Sequence, residues 1–114
     1  MQKQYDLEER SLQFAKDARC FIRKLPRTIS NIEDGKQLAR ATGSVGANYI
    51  EANEALSKKD FLMRIKICRK EAKESAYWLQ LLHIPEELIN AQKELTKEAT
   101  ELMMIFSAIM RKSL

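Results

Sequence analysis

Glu71 and Glu74 are the residues whose types and spacing come nearest to a chemical site in this 114-residue chain. Three apart on a helix, two carboxylates occupy neighbouring positions on one face, as paired acid–base groups require. The rest of the inventory does not complete such a site. His83 is the one histidine and falls near the end of its helix, and no Glu-x-x-His pair of the di-iron bundle kind accompanies it. Cys20 and Cys68 with a single histidine cannot supply four zinc ligands, and both read as small core residues. On a lysine-rich helix two carboxylates are ordinarily salt-bridge partners. The expectation is therefore a protein that is not an enzyme, with no metal and no cofactor, although a bundle fold never excludes a grafted site.

Charge is the second kind of chemistry on offer. The chain carries a formal net charge of +4, unevenly spread. Lys58 to Lys73 holds seven basic residues against Asp60 and Glu71, whereas Glu86 to Glu101 holds five acidic residues against Lys93 and Lys97. On a helix Lys59, Lys66, Arg69, Lys70 and Lys73 fall within about 100° of arc. Arg19, Arg23, Lys24 and Arg27 form a second basic run with no acid among them, which also suits the negative end of a helix dipole. Solvated surface and polyanion binding both account for these clusters. Among the aromatic residues, Phe14, Tyr49, Phe61 and Phe106 sit on apolar seams, and Tyr77 falls on the basic side as the one stacking candidate. That favours a reader of phosphate and shape over a reader of bases.

The elements that position these groups are helices. Three glycines and two prolines against 45% apolar and 32% charged residues suit a few long helices rather than a sheet. Leu7, Ser11, Phe14, Ala18, Ile22 and Leu25 recur at steps of three and four and close at Pro26. Ser30-Asn31-Ile32-Glu33 reads as a capping box opening a second helix, whose seam is Leu38, Ala41, Val45, Tyr49, Ala52 and Leu56. Ser57-Lys58-Lys59-Asp60 opens a third, with Phe61, Ile65, Cys68, Ala72, Ser75, Leu79 and Leu82 as its seam. Pro85 preorganises the first turn of a fourth, along Leu88, Gln92, Leu95, Ala99, Leu102, Phe106 and Ile109, with a break expected near Asn90 where Gln92 weakens the seam. Helices over about 6–25, 31–56, 58–83 and 85–112, joined by short connections, close one core as an all-α, up-down-up-down antiparallel four-helix bundle in a single domain.

The stretch ATGSVGANYIEA, Ala41 to Ala52, contains two glycines inside the second helix. Each costs a helix interior about 1 kcal/mol against alanine. GSVG has neither the spacing of a phosphate-binding loop nor a strand before it, so that reading fails. Gly43 and Gly46 lie instead on one flank of the seam, where a neighbouring backbone can approach and offset the cost through packing. Gln37, Arg40, Ser44, Asn48 and Glu51 form a polar stripe on the other flank, expected to find partners among themselves or on the third helix. An ordinary solvated face is the alternative.

These residues carry a resemblance. The core R-x-x-G-S-V-x-A-N-x-x-E-A, here Arg40, Gly43, Ser44, Val45, Ala47, Asn48, Glu51 and Ala52, resembles the four-helix-bundle family named after the protein encoded in intervening sequences of bacterial 23S ribosomal RNA. YDLEERSLQFAKDARCFIRKLP and KKDFLMRIKICRKEAKESAYWLQLL extend the likeness over nearly the whole chain, with residues 83–114 matching more loosely. The resemblance implies small bundles assembled into rings of five, similar to accessory subunits that work beside retroelement reverse transcriptases. It implies no activity.

Two readings follow. In the first, an oligomer binds RNA or DNA through its basic surface. In the second, it is a protein-interaction scaffold that binds no nucleic acid. A second apolar edge on the third helix, Met63, Ile67, Trp78 and Leu81, is more than a closed monomer easily buries and points to a homo-oligomer. The polar start MQKQYDLEER lacks the apolar centre of a signal peptide, and no apolar run is long enough to span a membrane. The expected location is the cytoplasm, with both cysteines reduced.

Overall fold

A computed structural model describes residues 3–114, with side chains from residue 7 onward. Met1 and Gln2, part of the polar start and of the single expected domain, lie outside the described residues. Four helices follow one another: α1 (Lys3–Arg23), α2 (Ile29–Asn53), α3 (Lys58–Leu81) and α4 (Ile89–Ser113), with one 3-10 turn, Glu86–Leu88, before α4. Each helix neighbours the next in sequence, and α4 returns to α1, as an up-down-up-down bundle requires. The molecule measures 44 × 27 × 19 Å, its long axis set by helices of 21 to 25 residues lying side by side.

Phe14, Leu38, Val45, Ile65, Leu79 and Phe106 are sealed from solvent. Burial of each such side chain stabilises the fold by about 1.5–3 kcal/mol. The Tyr49 and Phe106 rings meet tilted, 5.8 Å between centroids, joining α2 to α4. Between α2 and α3 the seam residues are small, Ala41, Ala52, Cys68 and Ala72, and these two helices pack the most extensively. The α1–α4 contact is the sparsest of the four sides.

Local differences from the sequence reading have identifiable causes. α2 is capped by Thr28, not Ser30: Thr28 is extended, and its hydroxyl accepts the Asn31 amide at 3.1 Å. Glu33, assigned above to a capping box, pairs instead with Lys36. The earlier start places Asn31 where its side chain bonds the Pro26 carbonyl and both the carbonyl and amide of His83, tying two connections together. At α3 the Ser57 hydroxyl does accept the Asp60 amide, at 3.0 Å. α2 stops at Asn53, so Leu56 leaves the seam and stands 98% exposed in the connection. On α1, Phe21 is buried while Ile22 is only partly covered. Pro85 precedes the 3-10 turn, and α4 itself begins four residues later. Gln92 is accommodated by donating to the Leu79 carbonyl at 2.9 Å, a bond to the neighbouring helix that its place on the seam permits.

Candidate nucleic-acid interface

The buried stripe of α3, Ile65, Cys68, Ala72, Ser75 and Leu79, turns the opposite side of the helix to solvent. On that side Lys59, Lys66, Lys70 and Lys73 are exposed and Arg69 is half-buried. From Lys59 to Lys73 is about 21 Å of helix, on the order of six phosphates along one duplex strand. None of the five forms an ion pair among the described residues. Tyr77 stands at the same face, 57% exposed, its ring held edge-on by Trp78 at 5.2 Å.

Two of the three acids of the same helix, Glu71 and Glu74, are engaged elsewhere. Arg40 reaches across from α2 to Glu71, 3.3 Å from Nη1, and to Glu74, 3.5 Å from Nη2. Glu71 is buried; its Oε2 accepts the Arg40 hydrogen bond at 3.4 Å, whereas Oε1, though close, receives no well-directed donor. The two carboxylates are thus held as arginine partners. Further along the same edge, Arg64 donates to Asn48 Oδ1 at 2.9 Å, and Asn48 Nδ2 donates to the Ser44 carbonyl and hydroxyl. The polar flank of α2 is a network to α3, as its half-buried geometry suggested, with one correction. Glu51 is exposed and forms no ion pair among the described residues, so it takes no part in it.

The glycine flank serves α1 in two different ways. A Cβ on Gly46 would come within 3.3 Å of Ser11 Cβ and 3.8 Å of the Ser11 carbonyl carbon, so a backbone does approach closely there. At Gly43 the neighbour is not backbone but the Arg19 guanidinium, 3.1 Å from such a Cβ. Lying in that slot, Arg19 donates to the Ala15 and Ala39 carbonyls and to Thr42. The second basic run is consequently dispersed: Arg19 is committed to α2, Arg23 donates to Cys20 Sγ, Lys24 faces α4, and Arg27 lies at the α1–α2 connection. Since α1 and α3 are the diagonal pair of the bundle, these residues do not join the α3 face.

Arg10 is the ionic contact that the sequence pattern did not reveal. Its Nε and Nη2 grip Glu98 at 2.7 and 2.8 Å, and Nη2 also reaches Glu101 at 2.7 Å. The hydrogen bond to Glu98 raises the guanidinium pKa further, against the opposing cost of partial burial. Of the two cysteines read as core residues only Cys68 is buried; Cys20, off the α1 seam two residues past Ala18, is exposed. Burial pushes the Cys68 thiol up to about 12, and its Sγ donates to the Val45 carbonyl at 3.4 Å. The Tyr49 hydroxyl is likewise raised, mainly by burial. Among the described residues, no three His, Cys, Asp or Glu side chains gather as metal ligands, and no helix is long and apolar enough to cross a membrane.

An all-α bundle with one basic outer face is the class that fold and surface define. The model of the 23S rRNA-intervening sequence protein family matches residues 3–108, and the chain belongs to that family. It is similar to a protein of unknown function from the S23 ribosomal protein family of Bacteroides thetaiotaomicron VPI-5482, whose crystal structure was determined at 1.70 Å. The two are 29% identical, with 96% of this chain and 99% of that chain covered and a TM-score of 0.81. No curated protein matches the chain.

Proposed function

We propose that this chain is a non-enzymatic, oligomeric bundle that binds RNA or DNA through the outer face of α3, with phosphate contacts dominating over base contacts. The observation that carries the reading is the set Lys59, Lys66, Arg69, Lys70 and Lys73, without an ion pair among the described residues, while Arg40 holds Glu71 and Glu74. Tyr77 supplies a stacking surface beside it. Self-association multiplies the effect, since each copy adds another basic face to one assembly. Met63 and Leu81, 47% and 48% exposed at the ends of the second apolar edge, support that association, and five copies is the number the family resemblance implies. The reading places the protein in the cytoplasm, where both free thiols stay reduced.

The test is binding of unrelated RNA and DNA sequences at about 50 mM salt, where phosphate contacts are strongest. Comparable affinity across sequences, lost at high salt, is expected. Absence of binding at low salt overturns the reading in favour of the protein-interaction scaffold, which the exposed Met63 and Leu81 also support. A pull-down separates the two directly. Partners lost on nuclease treatment support nucleic-acid binding; partners retained support the scaffold.

A further inference from the structure

Where α1 and α4 part, between residues 9–24, along α1 and just past its end, and residues 88–98, at the start of α4, the surface opens into a groove of about 970 Å³. Its floor is apolar: Phe14, Phe21 and Leu95, all otherwise core residues. Its rims are acidic. Glu9 and Glu94 are exposed without an ion-pair partner among the described residues, and Asp17 accepts one hydrogen bond from Gln13. Of the two cations that line it, Arg10 is taken up by Glu98 and Glu101, leaving Lys24 alone at one end. This chemistry repels phosphate, so nucleic acid and an anionic membrane are poor occupants. It suits an element with an apolar stripe flanked by cations. The α1 rim from Glu9 to Lys24 is about 22 Å long, which matches a partner helix of roughly 15 residues.

We propose that the α1–α4 groove is a docking site for a basic amphipathic helix of a partner protein. Its apolar stripe lies on Phe14, Phe21 and Leu95, and its lysine or arginine side chains meet Glu9, Asp17 and Glu94. The site lies away from the α3 face and has the opposite charge, so it adds to the nucleic-acid reading without resting on it. A chain with both surfaces bridges a nucleic acid and a basic protein segment.

The groove contains its own reporter. Cys20 is exposed within it, while Cys68 is buried and its thiol stays protonated, so an aromatic disulfide reagent reads Cys20. The probe is a synthetic leucine–lysine peptide with leucines at i, i+3, i+4 and i+7; a leucine–glutamate peptide of the same pattern is the control. The leucine–lysine peptide is expected to slow Cys20 modification about tenfold at saturation, and the control to leave it unchanged. Asp17→Lys with Glu94→Lys weakens the peptide about tenfold, the sum of lost and reversed rim pairs, while Glu54→Lys, a charge reversal outside the groove lining, does not. Thermal melting verifies that the variants fold. Lys66, Lys70 and Lys73 changed together to glutamine leave the protection intact, so failure of this site is distinguishable from failure of the α3 face. Unprotected Cys20, equal protection by both peptides, or equal weakening by Glu54→Lys overturns the proposal. So does shielding of Cys20 that grows with protein concentration alone, which makes a second copy the occupant.

Discussion

Between α2 and α3 the helices meet through Ala41, Val45, Cys68 and Ala72, all sealed from solvent, whereas α1 and α4 separate over Phe14, Phe21 and Leu95 and leave a groove. Each seam has an arginine holding two carboxylates. On the closed seam Arg40 compensates Glu71, a buried acid with few other partners. On the open seam Arg10 grips Glu98 and Glu101 with shorter, better-aligned bonds, yet all three side chains remain substantially solvated. Contact geometry alone would rank Arg10 the more important. Solvation reverses that order, because a charge pair near water contributes little however good its distances, and a buried carboxylate left alone is costly.

Truncation tests the reversal. Arg40→Ala strands the Glu71 carboxylate in a packed interface and is expected to lower stability by about 2 kcal/mol, read from urea unfolding. A loss no larger than that of an exposed arginine breaks the comparison.

Titration sharpens it. Cys68 on the closed seam stays protonated in the folded chain, with its pKa pushed from 9.0 to about 12, whereas the unfolded thiol ionises first. The folded state therefore binds more protons above pH 9, and the stability present below that value is lost as pH rises toward 12. Cys68→Ala should make the decline shallower by on the order of 1 kcal/mol per pH unit, while the raised Tyr49 hydroxyl adds in the same direction above its ordinary value of 10.0. A slope identical to the parent's would show that the thiol is not buried as described. The smallest effect belongs to the open seam: Arg10→Ala should cost under about 1 kcal/mol and lose most of that in high salt, as unfolding at two ionic strengths will report.

Periodicity made the seams legible, because burial on a helix repeats every 3.6 residues whatever the partner. Val45, Ala72 and Leu102 were recognisable for that reason, and so was the flank on which Arg40 and Asn48 would need partners. Spacing does not say where a helix stops. Leu56 keeps the period yet lies past the end of α2, and Ser30 has capping chemistry yet falls inside the first turn that Thr28 opens. Nor does spacing identify which group fills a gap. Gly43 and Gly46 look alike in sequence, but one admits a guanidinium and the other a backbone. The Arg10 clamp and the groove beside it depend on how far α1 and α4 diverge, a property of four packed helices that no single amphipathic pattern encodes.

The α3 face is tested most directly by fluorescence anisotropy of a labelled RNA duplex across a salt series, with the parent protein and a variant carrying Lys66→Gln, Lys70→Gln and Lys73→Gln. Each phosphate contact contributes roughly −0.9 to the slope of log K against log salt, so removing three should flatten it by about 2 to 3 units and weaken unrelated sequences alike. Equal slopes for the two proteins, or no binding by the parent at about 50 mM salt, would contradict the assignment of these lysines to phosphate.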